Sequence, residues 1–567
     1  MRAVAIETQD QQIRYTNLVT DSWLTQERVL LGMILLVQVS LSFFFLRNSA
    51  SLDEGTYILA GHRILSQWFG GPAVINIYAS YFSGYPAFYP VIAGVLDSIG
   101  GLELVRAFSM ICMLLVTVCV YYITQKLFAQ EKKSALFAAL LFACQGSTLI
   151  LSHLATYDAL CLCLLAVATL LAVHVSSRSN PWLPLAIGLL LVVAFVAKYA
   201  AGGDIPGVIA LLFYCTWYCQ GWRKACLYTG LALFSFAVFA LLAYIQMDPS
   251  FIKGLQGSTT DRVAQSVETP AYLLLHQILP LGGLLYGIGW IGLFLLFSKT
   301  FSRKDDKRFS SLCTLLILYA TSLVPIAYHL YKGEETSLHK HIAFSVFFIM
   351  PLVGYACALF WKYGLSYLEN GKQNMRRTWR KYYRLVGVIF LLLYIGTGTR
   401  LASSRSQWPN TDMLIASLRL YVHSNIGQNL AEDKNIICYY LTNEINPDHW
   451  HDLDHFQYTD RTHQQLLMFA AYKAAIQDGG FNVIELSDDV KPVLAEALAK
   501  EIQSSKKYDL VATIPYTDFG LKGHFRIWTK HTGRTGILVK IADTGVKPLS
   551  EPFGRTGKRE GSVKRKT

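Results

Sequence analysis

Charge is scarce in this sequence. Only 16% of its 567 residues are charged and 53% are apolar, whereas soluble domains carry roughly 25% charged residues. A single soluble enzyme is excluded by that imbalance. The chain also has no glycine-rich phosphate loop, no zinc ribbon and no nucleic-acid motif, so the usual carriers of nucleotide and nucleic-acid binding are missing. No internal repeat is present. The absence of any Asn-x-Ser/Thr sequon favours a prokaryotic source. Of the 11 cysteines, all but Cys438 lie in or beside apolar stretches. A disulfide scaffold is therefore excluded, and buried thiols acting as small hydrophobes are expected.

Long apolar runs take the place of those features. Residues 1–28 form a polar leader without an apolar core of its own, so a cytoplasmic leader followed by a signal anchor is expected. Eleven runs are long enough for a bilayer: Val29–Leu46, Leu104–Thr124, Ser134–Leu154, Asp158–Val175, Trp182–Ala201, Ile205–Trp222, Cys226–Met247, His276–Phe297, Leu312–Leu330, Ile342–Trp361 and Leu385–Thr399. Pro86–Ile99 is apolar but short, and it holds Asp97 and two prolines. A re-entrant or interfacial helix fits it better than a span.

The net charge, 51 − 38 = +13, reports orientation once the basic residues are placed. With Pro86–Ile99 left out of the count, the cytoplasmic loops hold Lys132, Lys133, Arg223, Lys224, Arg303, Lys304, Arg376 and Arg377 among others. Short cytoplasmic loops collect such residues, and counting the short run as a span would turn every later basic loop outward. An odd number of spans puts the long C-terminal region outside the cytoplasm. The expected setting is a prokaryotic plasma (inner) membrane, with membrane lipids as neighbours and no nucleic acid as partner.

The expected fold class is thus a polytopic α-helical membrane protein over residues 29–400, followed by a small extracytoplasmic α/β domain over 401–539. Within that domain Asn435–Leu441, Phe481–Leu486, Asp509–Ile514 and Phe525–Trp528 have strand length, and Arg461–Gln477 and Val490–Ser504 read as helices. Residues 540–567 are basic and rich in Gly and Ser, a disordered composition. The segment Asp448-His449-Trp450-His451-Asp452-Leu453-Asp454-His455 has metal-like chemistry. It lacks a distant fourth ligand at any standard spacing, so a solvated loop is favoured over zinc or copper.

Acids and bases converge on the outer face. Ser51-Leu52-Asp53-Glu54-Gly55 follows the first span, and two carboxylates at a membrane boundary are functional candidates by default. Leu59, His62, Arg63 and Leu65 continue at helical spacing, which suggests an amphipathic helix capped by Asp53. Asp158 stands at the outer end of the fourth span. Lys198 closes the run Phe195-Val196-Ala197-Lys198 just before Gly202-Gly203-Asp204, and Lys340-His341 opens the tenth span. A lone Lys198 would read as snorkelling; for the whole set a shared site is more economical.

The order Asp53-Glu54, then Gly84-Tyr85-Pro86-Ala87-Phe88-Tyr89-Pro90, then Gly100-Gly101-Leu102-Glu103-Leu104-Val105-Arg106, resembles the polytopic GT-C glycosyltransferases. The protein O-mannosyltransferase and aminoarabinose-transferase branch is the nearest in pattern, and the likeness continues through Ala155-Thr156-Tyr157-Asp158, Ala197-Lys198-Tyr199 and Lys340-His341-Ile342. The resemblance implies an inverting glycosyltransferase that takes a sugar from a polyprenyl-phosphate donor and delivers it to a lipid, glycan or protein acceptor at the outer leaflet. It places Asp53 as the base that polarises the acceptor hydroxyl, with Glu54 and Asp158 as further acids of the site. Lys198, Lys340, Arg63 and His341 are the candidates for the leaving phosphate. Arg262, in the loop Asp248–Tyr272, is the candidate for an element closing over the donor. No cofactor is expected: paired acids hold a divalent cation in metal-dependent relatives, whereas the monophosphate-donor branch works without one.

Two phosphate contacts of the aminoarabinose-transferring relatives have no counterpart, since Thr56 and Tyr85 occupy the positions of their Arg and Lys. The alternative from another class is a transporter or lipid flippase. Against it stand the missing inverted repeat and the clustering of ionisable groups at one face. A third reading, an inert scaffold, requires Asp53, Asp158 and Lys198 all to be dispensable.

Overall fold

The computed structural model describes residues 26–43, 48–72, 82–175, 180–246, 249–259, 269–303, 306–363, 373–422, 427–453, 456–488 and 491–531. By internal contacts the chain divides into two units, one of Met1–Asn48, Ser66–Pro90 and Arg106–Gln407, the other of Ser49–Leu65, Val91–Val105 and Trp408–Thr567.

The first unit is a bundle of apolar helices. Among the described residues 8 helices are long and apolar enough to cross a membrane, or up to 9 if a bent pair counts as one span. Two more expected spans fall on the 16-residue helices Trp182–Ala197 and Ile205–Gln220. The bent pair, Lys133–Ala143 and Gly146–His153, turns by 61°. Gln145 stabilises the break: its side-chain oxygen accepts from Thr148 N at 2.7 Å and its Nε2 donates to Leu281 O at 2.5 Å. Leu281 sits in the π-helical turn Leu279–Gly283, where a shifted backbone pattern leaves carbonyls in need of donors. Elsewhere Thr117 Oγ1 donates to Gln38 Oε1 at 2.7 Å, a buried polar link between helices. Leu338–Lys362 is the core helix, with 94% of its most apolar window buried, against 11% for Leu385–Ser404. Its first turn carries Lys340 and His341.

The helix Tyr89–Leu127 spans 39 residues, about 58 Å at 1.5 Å per residue, nearly twice a hydrocarbon core. It breaks at Gly100 and Gly101, and the latter has φ 67° and ψ −171°, a conformation open to glycine alone. The break separates the short apolar run ending at Ile99 from the longer run Leu104–Thr124.

In the second unit β1 (Gln428–Ala431), β2 (Trp450–His451), β3 (Gln457–Thr459), β4 (Gln465–Leu467), β5 (Phe481–Leu486), β6 (Tyr508–Asp518) and β7 (Leu521–Lys530) form a five-stranded sheet in the order β2-β1-β5-β7-β6 and a separate β3-β4 pair. β1 runs parallel to β2 and β5, and β7 antiparallel to β5 and β6. Trp450, Tyr472, Phe481, Phe525 and Trp528 are buried in its core.

Two expectations for this region are corrected. Asn435–Leu441, expected as a strand, is the helix Lys434–Tyr440. A short apolar run fits either element by periodicity. Here helix buries Ile436, Ile437 and Cys438 while Tyr440 OH accepts from Ala50 N at 2.7 Å. The helix expected over Arg461–Gln477 begins only at Met468. Before it Asp460 Oδ1 accepts from Thr462 N, Thr462 Oγ1 and Gln464 N at 2.9, 2.7 and 2.9 Å. This side-chain turn closes the β3-β4 hairpin and competes with helix. The remaining helix stands at Pro492–Ser505, close to its expected place.

Candidate active site

In the membrane unit, Asp158 lies in the first turn of Tyr157–Val175 and Lys198 ends the helix Trp182–Ala197 in extended conformation, φ −152° and ψ 120°. The helix stops there because another strand of chain takes over the pairing: Tyr85 N donates to Val196 O and Tyr199 N to Ser83 O, each at 2.8 Å. Gly84 allows this approach, since a Cβ there would stand 2.1 Å from Ala197 O. The glycine-led motif expected from sequence order thus fixes the segment that presents Lys198.

The Lys198 ammonium donates to Asp158 Oδ1 and lies 5.1 Å from the centre of the Tyr157 ring. Both side chains are buried, at 2% and 0% exposure. Opposite charges removed from water together are tolerated because each compensates the other. Lys340 also acts electrostatically on Asp158.

Lys198 lines a cavity of about 250 Å³ together with Tyr199, Asp204, Tyr328 and His341. Asp204 precedes the helix Ile205–Gln220 and is 2% exposed, and its Oδ1 has no hydrogen-bond partner among the described residues. A buried carboxyl oxygen left without a partner is costly, and its position suits hydroxyl donors from a cavity occupant. His341 Nδ1 meets His329 Nε2 at 2.8 Å, and His329 Nδ1 donates to Glu334 O at 2.6 Å. Sequence reasoning passed over Asp204 and His329. The adjoining glycine pair was a signal for the first, and a histidine inside an apolar run was one for the second.

In the other unit, Asp53, Glu54 and Arg63 share the helix Leu52–Trp68. Asp53 does not cap it. Ser51 does, with its Oγ accepting from Glu54 N at 3.5 Å while Glu54 Oε2 accepts from Ser51 N at 2.9 Å. This reciprocal pair is a capping box. Glu54, expected as a further acid of the site, thus takes part in capping its own helix. Arg63 pairs with Asp448 at 2.6 Å, and His62 with Asp97 at 2.7 Å, whose other oxygen accepts from Tyr439 at 2.8 Å. In the histidine-rich segment His451 Nε2 meets Gln428 Oε1 at 2.6 Å, and burial lowers the pKa of its imidazole. His455 and Arg262 lie outside the described residues.

The structure therefore gathers Asp158, Lys198, Lys340 and His341 within the membrane unit, and Asp53, Glu54 and Arg63 on one helix of the second.

Residues 89–244 match the profile of the family described as dolichyl-phosphate-mannose-protein mannosyltransferase. The matched stretch includes Asp158 and Lys198. Among solved structures, ArnT from Cupriavidus metallidurans bound to undecaprenyl phosphate is similar at 14% identity, over 88% of this chain and 98% of that one, with a TM-score of 0.55. Its apo form is similar at 14% identity over 88% and 97%, with a TM-score of 0.53. No curated protein matches the chain in sequence. The profile match over part of the chain and the likeness in fold over most of it both point to polytopic membrane glycosyltransferases as what this chain is similar to.

Proposed function

We propose that this chain is an inverting glycosyltransferase that moves a sugar from a polyprenyl-phosphate donor to an acceptor at the extracytoplasmic face. The observation that carries the reading is the buried pair of Lys198 and Asp158, with the cation of that pair and His341 lining a cavity. A cation so placed stabilises charge that develops on a leaving phosphate. The ArnT structure bound to undecaprenyl phosphate supports a lipid phosphate as the ligand type. The concentration of Lys and Arg in one set of loops supports the orientation.

The chemistry is a single displacement. Asp53 takes the proton of the acceptor hydroxyl as its oxygen attacks the anomeric carbon, and the bond from that carbon to phosphate breaks with inversion. Lys198 and Lys340 offset the charge gained by the phosphate. Asp158 holds Lys198 in place, and Asp204 accepts from sugar hydroxyls. Arg262 supplies a further cation to the donor.

Purified full-length protein in detergent, given dolichyl-phosphate mannose or an undecaprenyl-phosphate-linked sugar with candidate acceptors, tests this reading. Transfer that falls with Asp53→Asn supports it. A transporter would show no chemistry where no compartments exist, and full activity of Asp53→Asn would remove Asp53 as the base.

A further inference from the structure

The pair His329 and His341 is not a simple cation site. Glu334 O carries no proton, so His329 Nδ1 must carry one and donate it across the 2.6 Å contact. Only one proton fits between His329 Nε2 and His341 Nδ1, 2.8 Å apart. In the neutral pair that proton sits on His341 Nδ1, and His341 Nε2 carries a lone pair. Adding a proton gives His341 Nε2–H. A second added proton would set two N–H groups against each other and is excluded. The pair thus holds at most one extra proton, exchanged at Nε2 of a residue that lines the cavity. Both rings are buried, His329 at 1% and His341 at 6% exposure, so neither is a surface histidine in free contact with water.

We infer that His341 is the general acid for the leaving lipid phosphate and that His329 is the residue that positions and charges it. This rests on the transferase reading above and assigns a step within it. As the bond from the anomeric carbon to the phosphate oxygen breaks, its electron pair stays on that oxygen, turning a diester monoanion into a monoester. The proton passes from His341 Nε2 to a phosphate oxygen, and the pair is left neutral with His341 Nδ1–H still donating to His329 Nε2. The proton taken by Asp53 from the acceptor goes to water, and the pair regains one from water, so the cycle balances. His329 plays the part that an orienting carboxylate plays beside a catalytic histidine: it fixes the tautomer and supports the imidazolium. The ionisable groups facing the pair are Lys198, Tyr199, Asp204 and Tyr328 around the cavity, Lys340 beside His341, and Glu334 in the preceding turn.

Undecaprenyl phosphate, the leaving group without its sugar, is the probe. Its binding to the full chain is measured from pH 5.5 to 8.5 for wild type, His329→Gln, His329→Asn and His341→Gln, with melting temperatures as a check on folding. The phosphate's own titration is common to all four, so differences between the curves belong to the protein. Wild type is expected to bind more tightly as the pair gains its proton on acidification. His341→Gln loses this added dependence. His329→Gln weakens binding at pH 6 by about tenfold, the effect of one charge-assisted hydrogen bond, and moves the transition to lower pH. His329→Asn shows the same shift if the contact with His341 is what matters. Folded His329 variants with the wild-type pH curve would overturn the inference while leaving the transferase reading intact. No binding of undecaprenyl phosphate by wild type at any pH would overturn both.

Discussion

Lys198 and Asp158 in the membrane unit are 2% and 0% exposed and satisfy one another, whereas on the helix Leu52–Trp68 Glu54 turns to the backbone of Ser51 and Arg63 reaches Asp448, which is 40% exposed. The same residue types therefore do different work in the two units. Where a buried charge is held by an opposite charge, removing one partner strands the other. Where backbone donors are at hand, a carboxylate as buried as Glu54 is satisfied by capping, and an ion pair half open to water contributes little to stability. Chemistry and folding should accordingly separate cleanly at Asp53 and remain entangled at Lys198.

The largest expected effect tests the separable side. Asp53→Asn should lower kcat for sugar transfer by about 10²- to 10⁴-fold with an unchanged melting temperature, because Ser51 and Glu54 hold the helix end. A matching loss of stability would show that the acid is structural after all. Lys198→Met tests the entangled side. It leaves Asp158 buried without its hydrogen-bonded cation, at a cost of about 3–5 kcal/mol, and adding Asp158→Asn should restore much of the melting temperature without restoring transfer. Equal stability of Lys198→Met and wild type would dissolve the contrast.

Smaller effects sharpen it. Ser51→Ala should cost about 1 kcal/mol, read as faster amide exchange in the first turn of Leu52–Trp68. Glu485, which is 0% exposed, supplies a pH test in the second unit. Burial, with Asp433 and Glu432 adding repulsion, pushes its pKa well above the usual carboxylate range. The folded unit thus retains a proton that the unfolded chain releases above the ordinary glutamate value of 4.5. The stabilisation is fully present below that value and is lost as pH rises towards the folded pKa, by at most about 1.4 kcal/mol per pH unit. Glu485→Gln should flatten this slope in amide-exchange stability measured between pH 5 and 8. A slope equal to wild type would mean that another group titrates.

Most of the membrane architecture was legible because the apolar runs are long, and length alone distinguishes a span from a buried strand. The break at Gly100-Gly101 was also readable, as a short run containing Asp97 followed by two glycines. Lys434–Tyr440 was not readable, since seven apolar-rich residues satisfy strand and helix equally and only the buried face decides. At the candidate site Asp158, Lys198, Lys340 and His341 were visible as ionisable residues at the ends of apolar runs. The cap at Ser51 is a serine followed three residues later by a glutamate, a pattern present in the sequence but overshadowed by Asp53 between them. His329 and Asp204 escaped because their significance lies in what they meet: a histidine 12 positions along the chain and a cavity formed by separate helices. Neither relation has a local period.

The most direct test of the central claim is a structure of the full chain with undecaprenyl phosphate. The account predicts the phosphate in the cavity beside Lys198, within reach of Lys340 and His341. A phosphate bound elsewhere, with that cavity empty and the Lys198–Asp158 pair undisturbed, would contradict it.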